Sequence, residues 1–290
     1  MIESRIVGGR YLLLDGLDRR GFGLAHRAED RITGRNVVVT EIRLRDGTGP
    51  RERLRERLLA EVRAAGRLRH PGVVPVLDLI ADRAPDGALR EHLVTERPDA
   101  RTLTEVLAAG PLPARRVAAL GRDVLAAVRA VHEGGGTHGG LDPDCVLVTP
   151  DGRALVTDLG LARAVGERPA APGAAPDAFD PPERRRRPDR ASGWPEGDTP
   201  AADLWSLGAV LAHAAGDRLA RNGALATAIA GLTADAPALR PAPDEVAGLL
   251  ERAARPRASG GDLGRNRGIL LGVAGLLLVA VLLLVVHAIL

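Results

Sequence analysis

The sequence predicts an α+β chain of two lobes followed by one transmembrane helix, and three observations predict it. From Arg10 to Leu44 short apolar runs alternate with Gly or charged breaks, as in a succession of strands. From Leu103 onward the apolar spacing is mostly helical, and a strand-rich part followed by a helical part makes a two-lobed α+β body. The stretch Gly268 to Leu290 holds a single polar residue, His287. At a rise of about 1.5 Å per residue it spans about 34 Å, more than a hydrocarbon core of about 30 Å.

The elements follow in order. The first lobe, 10–96, contains the strands and a helix over Arg51 to Leu68, whose apolar residues recur at helical spacing among charges at i,i+4. The second lobe, 97–255, has two β-rich patches, Cys145 to Val148 and Ala154 to Thr157, the latter after the Pro150-Asp151-Gly152 turn. A basic juxtamembrane linker, 256–267, leads to the span at 268–290. Arg252, Arg255, Arg257, Arg265 and Arg267 precede that span, so the body is expected on the cytoplasmic side of a cell membrane crossed once. The N-terminal residues lack the apolar run of a cleaved signal, and the expectation is a body never exported, with no sensor beyond the membrane. Gly268 and Gly272 form a GxxxG pair suited to a helix dimer, although small residues are common in such spans.

Composition narrows the chemistry. With 45% apolar residues in 290, the chain buries a core and is not disordered. Aromatics are only 2%, so Leu, Val and Ala build that core, and base-stacking recognition of nucleic acid is excluded. All 40 basic residues are arginine, which removes any chemistry that needs an amine side chain. Against 37 acidic residues the net charge is only +3. A single cysteine, Cys145, forms no intrachain disulfide, consistent with a reducing compartment.

From Arg10 to about Ala254 the ordered landmarks resemble those of a bacterial serine/threonine protein kinase of the eukaryotic-like type. RYLLLDGLDRRGFGLAHRAED is similar to the glycine-rich loop with its flanking strands, and NVVVTEI to the strand that ordinarily carries V-A-I-K. Glu61 stands where the helix glutamate is expected, and Glu96 at the hinge. THGGLDPDCVLV takes the place of H-R-D-L-K-P-x-N-V-L-V, and TDLGLAR that of the D-F-G segment. Pro181-Pro182-Glu183 resembles A-P-E, DLWSLGAVL the central helix beginning at Asp203, and Arg240 the partner of the A-P-E glutamate. The resemblance implies a two-lobed protein-kinase-like fold and a site for ATP and Mg²⁺.

The departures decide what that site does. Phosphoryl transfer relies on positioning and charge neutralisation, so each polar group has an electrostatic task. The lysine position is Thr40, whose hydroxyl supplies no cation for the phosphates or for Glu61. The catalytic aspartate position is Gly140, and the residue before it Gly139; glycine accepts no proton. The second metal-ligand position is Cys145, a soft ligand poorly matched to Mg²⁺. Asp158 is left as the metal candidate. Asp18 and Arg20 replace the first two loop glycines, leaving Gly21 and Gly23. From Gly160 to Glu183 there is no Ser, Thr or Tyr, so phosphorylation has no target in that segment.

The retained residues also have plainer readings. Glu61 reads as a solvated helix charge. His138 packs beneath the metal segment, Gly160 shapes its turn, Glu183 and Arg240 form a buried pair, and Asp203 caps or anchors a helix. Cys145 reads as a small buried side chain, and Arg184 to Arg187 as a solvated run or a dock for acidic groups or anionic lipid. The expected function is a membrane-anchored, catalytically impaired kinase-like module, a pseudokinase, with no or weak ATP/Mg binding. Its expected partners are active kinases, phosphothreonine-reading adaptors or cell-envelope proteins. Two alternatives stay open: a divergent, weakly active Ser/Thr kinase that uses Arg20 or Arg27 as cation and Asp142 or Asp144 as base, and a basic membrane-surface scaffold without a nucleotide role.

Overall fold

Alternation of apolar and polar positions sets the first sheet. In the computed structural model, six antiparallel strands follow the order β1-β2-β3-β4-β6-β5. They are β1 (Ile6–Val7), β2 (Tyr11–Arg20), β3 (Gly23–Asp30), β4 (Asn36–Ile42), β5 (Val76–Arg83) and β6 (Leu89–Glu96). The structure describes residues 5–20, 23–42, 51–84, 86–160, 178–185, 199–221 and 223–256. Val37 and Val39 of β4 join Val7, Tyr11, Leu13, Ala28 and Val94 in an apolar cluster on one face. Val38, Thr40 and Ile42 therefore face the other way, since successive strand residues alternate.

Helix α1 (Arg51–Arg67) follows β4, and Leu58 is its fully buried anchor. Beyond the last strand of the sheet, β7 (Arg101–Thr102), β8 (Val146–Val148) and β9 (Ala154–Val156) form a small antiparallel sheet. Thr102 also caps α2 (Leu103–Leu107) with a reciprocal capping box to Glu105.

The second core gathers around α3 (Ala114–Glu133), whose buried stripe runs from Val117 to Val131 at helical spacing. Three further helices pack on that core: α5 (Pro200–Ala215), α6 (Gly223–Leu232) and α7 (Pro243–Ala254). A one-turn helix, α4 (Pro182–Arg185), precedes them. Both halves belong to one unit, Met1–Ala254, from which Arg255–Leu290 divides.

The helix beginning at 200 corrects one expectation. Its cap is Thr199, which accepts from the Ala202 amide ahead of Pro200 in the first turn, and not Asp203. Among the described residues no helix is long and apolar enough to cross a membrane. The predicted linker and span, apart from Pro256, lie outside the described residues, as does Gly21.

Candidate functional site

The positions expected to carry chemistry meet where the six-stranded sheet, α1 and the two turns beside β8 and β9 converge. Thr40 lies on β4 directly between Ala25 of β3 and Leu93 of β6, and it is 5% exposed. Directly opposed residues share a face, so this hydroxyl stands in an apolar row. The same pairing places Arg27 opposite Val38, on the Thr40 face, but its guanidinium is engaged by Asp15. The side chain of Arg20 lies outside the described residues. Gly23 has a packing reason of its own: a Cβ there would coincide with the Glu41 carbonyl oxygen. Glu96 ends β6 with an exposed side chain, and its amide donates to the Pro75 carbonyl at 3.0 Å.

The loop 138–145 is built around glycine and held from beneath. Gly139 has φ of +70°, a conformation that glycine adopts without strain. Asp203, 1% exposed, accepts the amides of His138 at 2.7 Å and Gly139 at 2.9 Å, and pairs with His132 Nε2 at 2.8 Å. Burial works to raise the Asp203 pKa, but the His132 hydrogen bond, the His138 ring and the two amides hold it below the usual carboxylate value. Asp203 is thus an anchor for loop backbone. His138 is fully buried, its Nε2 lies 3.1 Å from the Thr157 carbonyl, and its own carbonyl accepts the Gly160 amide at 3.0 Å.

Gly140 stands where the resemblance implies a carboxylate, and the acid two residues on, Asp142, holds loop backbone. Asp142 is 6% exposed, and its Oδ1 accepts the amides of Asp144 and Cys145, both at 2.9 Å. This is an Asx turn, for which the D-P-D-C order was a readable signal. The Cys145 thiol turns inward, 3.5 Å from the Gly140 carbonyl. Asp158 has φ of +64°, the one non-glycine residue with positive φ among those described. Such a conformation persists in a side chain only where its surroundings enforce it.

Two residues depart from their expected solvated settings. Glu61 is half-buried, and its carboxylate lies against Gly160, where an added Cβ would collide with it. Gly160 itself has φ of +68°. Arg184 is 8% exposed and donates to the Gly139 carbonyl at 3.1 Å, with Asp180 at 3.7 Å. No spacing in a run of four arginines distinguishes the buried one. Arg185 is exposed and lies over the Trp205 ring, while 186 and 187 lie outside the described residues. Asp203 thus holds the Gly139 amide and Arg184 the Gly139 carbonyl.

Arg240 grips Glu183 through two bonds of 2.7 Å each and also donates to the Ala201 carbonyl. Burial acts to raise the Glu183 pKa, but Arg240 holds it below the ordinary value. Beneath β6, the crevice between Val62, Leu93, Thr95 and Asp158 has a volume of about 10 Å³, room for about one water.

ATP with Mg²⁺, the group that the resemblance implies, fits these residues poorly. The thiol at 145 hydrogen-bonds the loop backbone, and the position for a cation on β4 carries a hydroxyl. Among the described residues no group of three or more His, Cys, Asp or Glu side chains is arranged to hold a metal ion.

A family model described as the protein kinase domain matches residues 19–228. A probable serine/threonine-protein kinase of Streptomyces coelicolor is 34% identical over 168 residues, covering 58% of this chain and 24% of the relative. The serine/threonine-protein kinase PknA of Mycobacterium tuberculosis is 30% identical over 249 residues, 84% of this chain and 56% of that protein. PknK of the same species is 32% identical over 270 residues, 87% of this chain and 22% of PknK. The chain thus spans from about a fifth to just over half the length of these relatives.

Proposed function

The chain belongs to the protein kinase domain family, beside bacterial serine/threonine-protein kinases, and from that premise we propose that it is a catalytically impaired member that serves as a binding or regulatory module. The observation that carries this reading is the backbone of Gly139, its amide held by Asp203 and its carbonyl by Arg184, next to Gly140 at the place where the resemblance puts a proton acceptor. A positioned base supplies about 100- to 10,000-fold in rate, and a clamp on developing charge about 100-fold or more. Thr40 and Gly140 forgo both contributions. The active-enzyme reading needs Asp142 as base, but one oxygen of that carboxylate holds two backbone amides. A catalytic group misplaced by about 1 Å already loses about 100-fold.

Nucleotide binding follows the same reasoning and is absent or weak. The module is tethered to the cytoplasmic face of the cell membrane by residues 268–290, and its partners are signalling or cell-envelope proteins. The tether rests on the apolar run and its arginine flank. The test is a titration of the full chain in neutral detergent with ATP and Mg²⁺, read by thermal unfolding. The expected result is no shift, or one needing millimolar nucleotide; saturation at micromolar ATP would overturn the reading. Restoring Thr40→Lys, Gly140→Asp and Cys145→Asn together is expected to bring back measurable autophosphorylation.

A further inference from the structure

Helix α1 turns Leu58 inward, where it is fully buried, with Leu59 and Val62 half-buried. Its outer side is unusual. At 3.6 residues per turn, Arg53, Arg57, Arg63 and Arg67 fall within an arc of about 120°, framing Ala60 and Ala64, and all six are exposed. Glu56 lies in the same arc and Glu52 at its border. Among the described side chains of this helix no i,i+4 ion pair forms. Its ion pair with a described residue is Arg55 to Glu91 at 2.7 Å, on a different side, and the four framing arginines pair with no described residue.

That arrangement disfavours the isolated helix. Arg53 with Arg57 and Arg63 with Arg67 are like charges at i,i+4, which repel. Arg53 also stands in the first turn, where the helix dipole disfavours a cation. An apposed row of carboxylates would relieve all of these at once. Ala60 and Ala64 add nothing beyond Cβ, so another helix axis can approach to about 8–10 Å.

We propose that the outer face of α1 docks an acidic helix of a partner protein, with the two alanines as its bed and the four arginines as its charge frame. The proposal deepens the binding-module reading by giving the module a partner class. A protein helix fits better than an anionic bilayer because this face has no large apolar side chain to enter the membrane interface.

The experiment measures the full chain in neutral detergent by fluorescence anisotropy with a labelled alanine-based helical peptide bearing Glu at i,i+4 spacing along one face. A scrambled peptide of equal charge and phosphatidylglycerol added to the micelles are the comparisons. The expected result is binding at least tenfold tighter than to the scrambled peptide. It should weaken at least tenfold from 50 to 200 mM salt, because the Debye length about halves and the charges are screened more strongly. The exposed substitutions Arg53→Gln, Arg57→Gln, Arg63→Gln and Arg67→Gln together should cost at least tenfold. Equal binding by that variant or of the scrambled peptide overturns the proposal. So does protection of α1 from hydrogen exchange by phosphatidylglycerol with no response to peptide. Phosphate transfer is measured separately, so peptide binding by an active enzyme would sink the impaired-kinase reading and leave this surface standing.

Discussion

The loop 138–145 and the frame around it carry opposite inventories of charge, although they are joined by direct hydrogen bonds. The loop has glycine at 139 and 140 and a thiol at 145, and its carboxylate at Asp142 holds the loop's own backbone. The frame keeps Asp203 under two loop amides, Arg184 on a loop carbonyl, and Arg240 locked to Glu183. Folding and chemistry draw on different side chains here. A buried charge in the frame cannot be lost without leaving its partner exposed to a low dielectric, whereas a reactive group at the mouth of a cleft can be lost at little cost to the fold.

Substitutions separate the two regions, and the largest effect belongs to the frame. Asp203→Ala strands two amides and His132, and it should cost about 3–5 kcal/mol of stability or prevent folding, as read by chemical denaturation. Arg240→Ala leaves Glu183 and the Ala201 carbonyl without their donor and should cost about 3 kcal/mol. Equality of either variant with the parent would break the distinction. Acid should act on the first lobe. His92 is 1% exposed with Nε2 3.9 Å from Glu41, and burial lowers its pKa, as it does that of His26. A histidine kept neutral by folding binds its proton more readily when unfolded, so its contribution is intact above about pH 6.5 and falls away below it. Each such group steepens the loss by at most about 1.4 kcal/mol per pH unit, and His92→Leu should flatten the slope between pH 6.5 and 5. The smallest effect belongs to the loop: Cys145→Ala should change stability by about 1 kcal/mol or so and leave any phosphate transfer unchanged.

Local pattern made much of this architecture readable. Strand β4 and helix α1 follow directly from alternation and from helical spacing, and β8 and β9 from short apolar runs around a Pro-Asp-Gly turn. The positions of the candidate site are named from order along the chain, and the fold puts Thr40 on β4 and Gly140 and Cys145 in the loop before β8. What the chain order conceals is the direction in which a side chain turns once distant elements meet. Arg184 sits in a run that reads as solvated, yet the loop brought to it by α5 gives it a carbonyl to hold. Asp203 looks like a helix-start acid because Thr199 and Pro200 lie just upstream, and its buried partners are supplied by residues about 65 positions away. Glu61 rests against Gly160 because the absence of a side chain at 160 leaves room for the carboxylate.

The most direct measurement is transfer of labelled γ-phosphate from ATP with Mg²⁺ by the full chain, to itself and to a general protein substrate, beside the chain carrying Thr40→Lys, Gly140→Asp and Cys145→Asn. The account predicts no incorporation above background by the natural chain and measurable incorporation by the restored one. Incorporation by the natural chain that disappears with Asp142→Ala would contradict it.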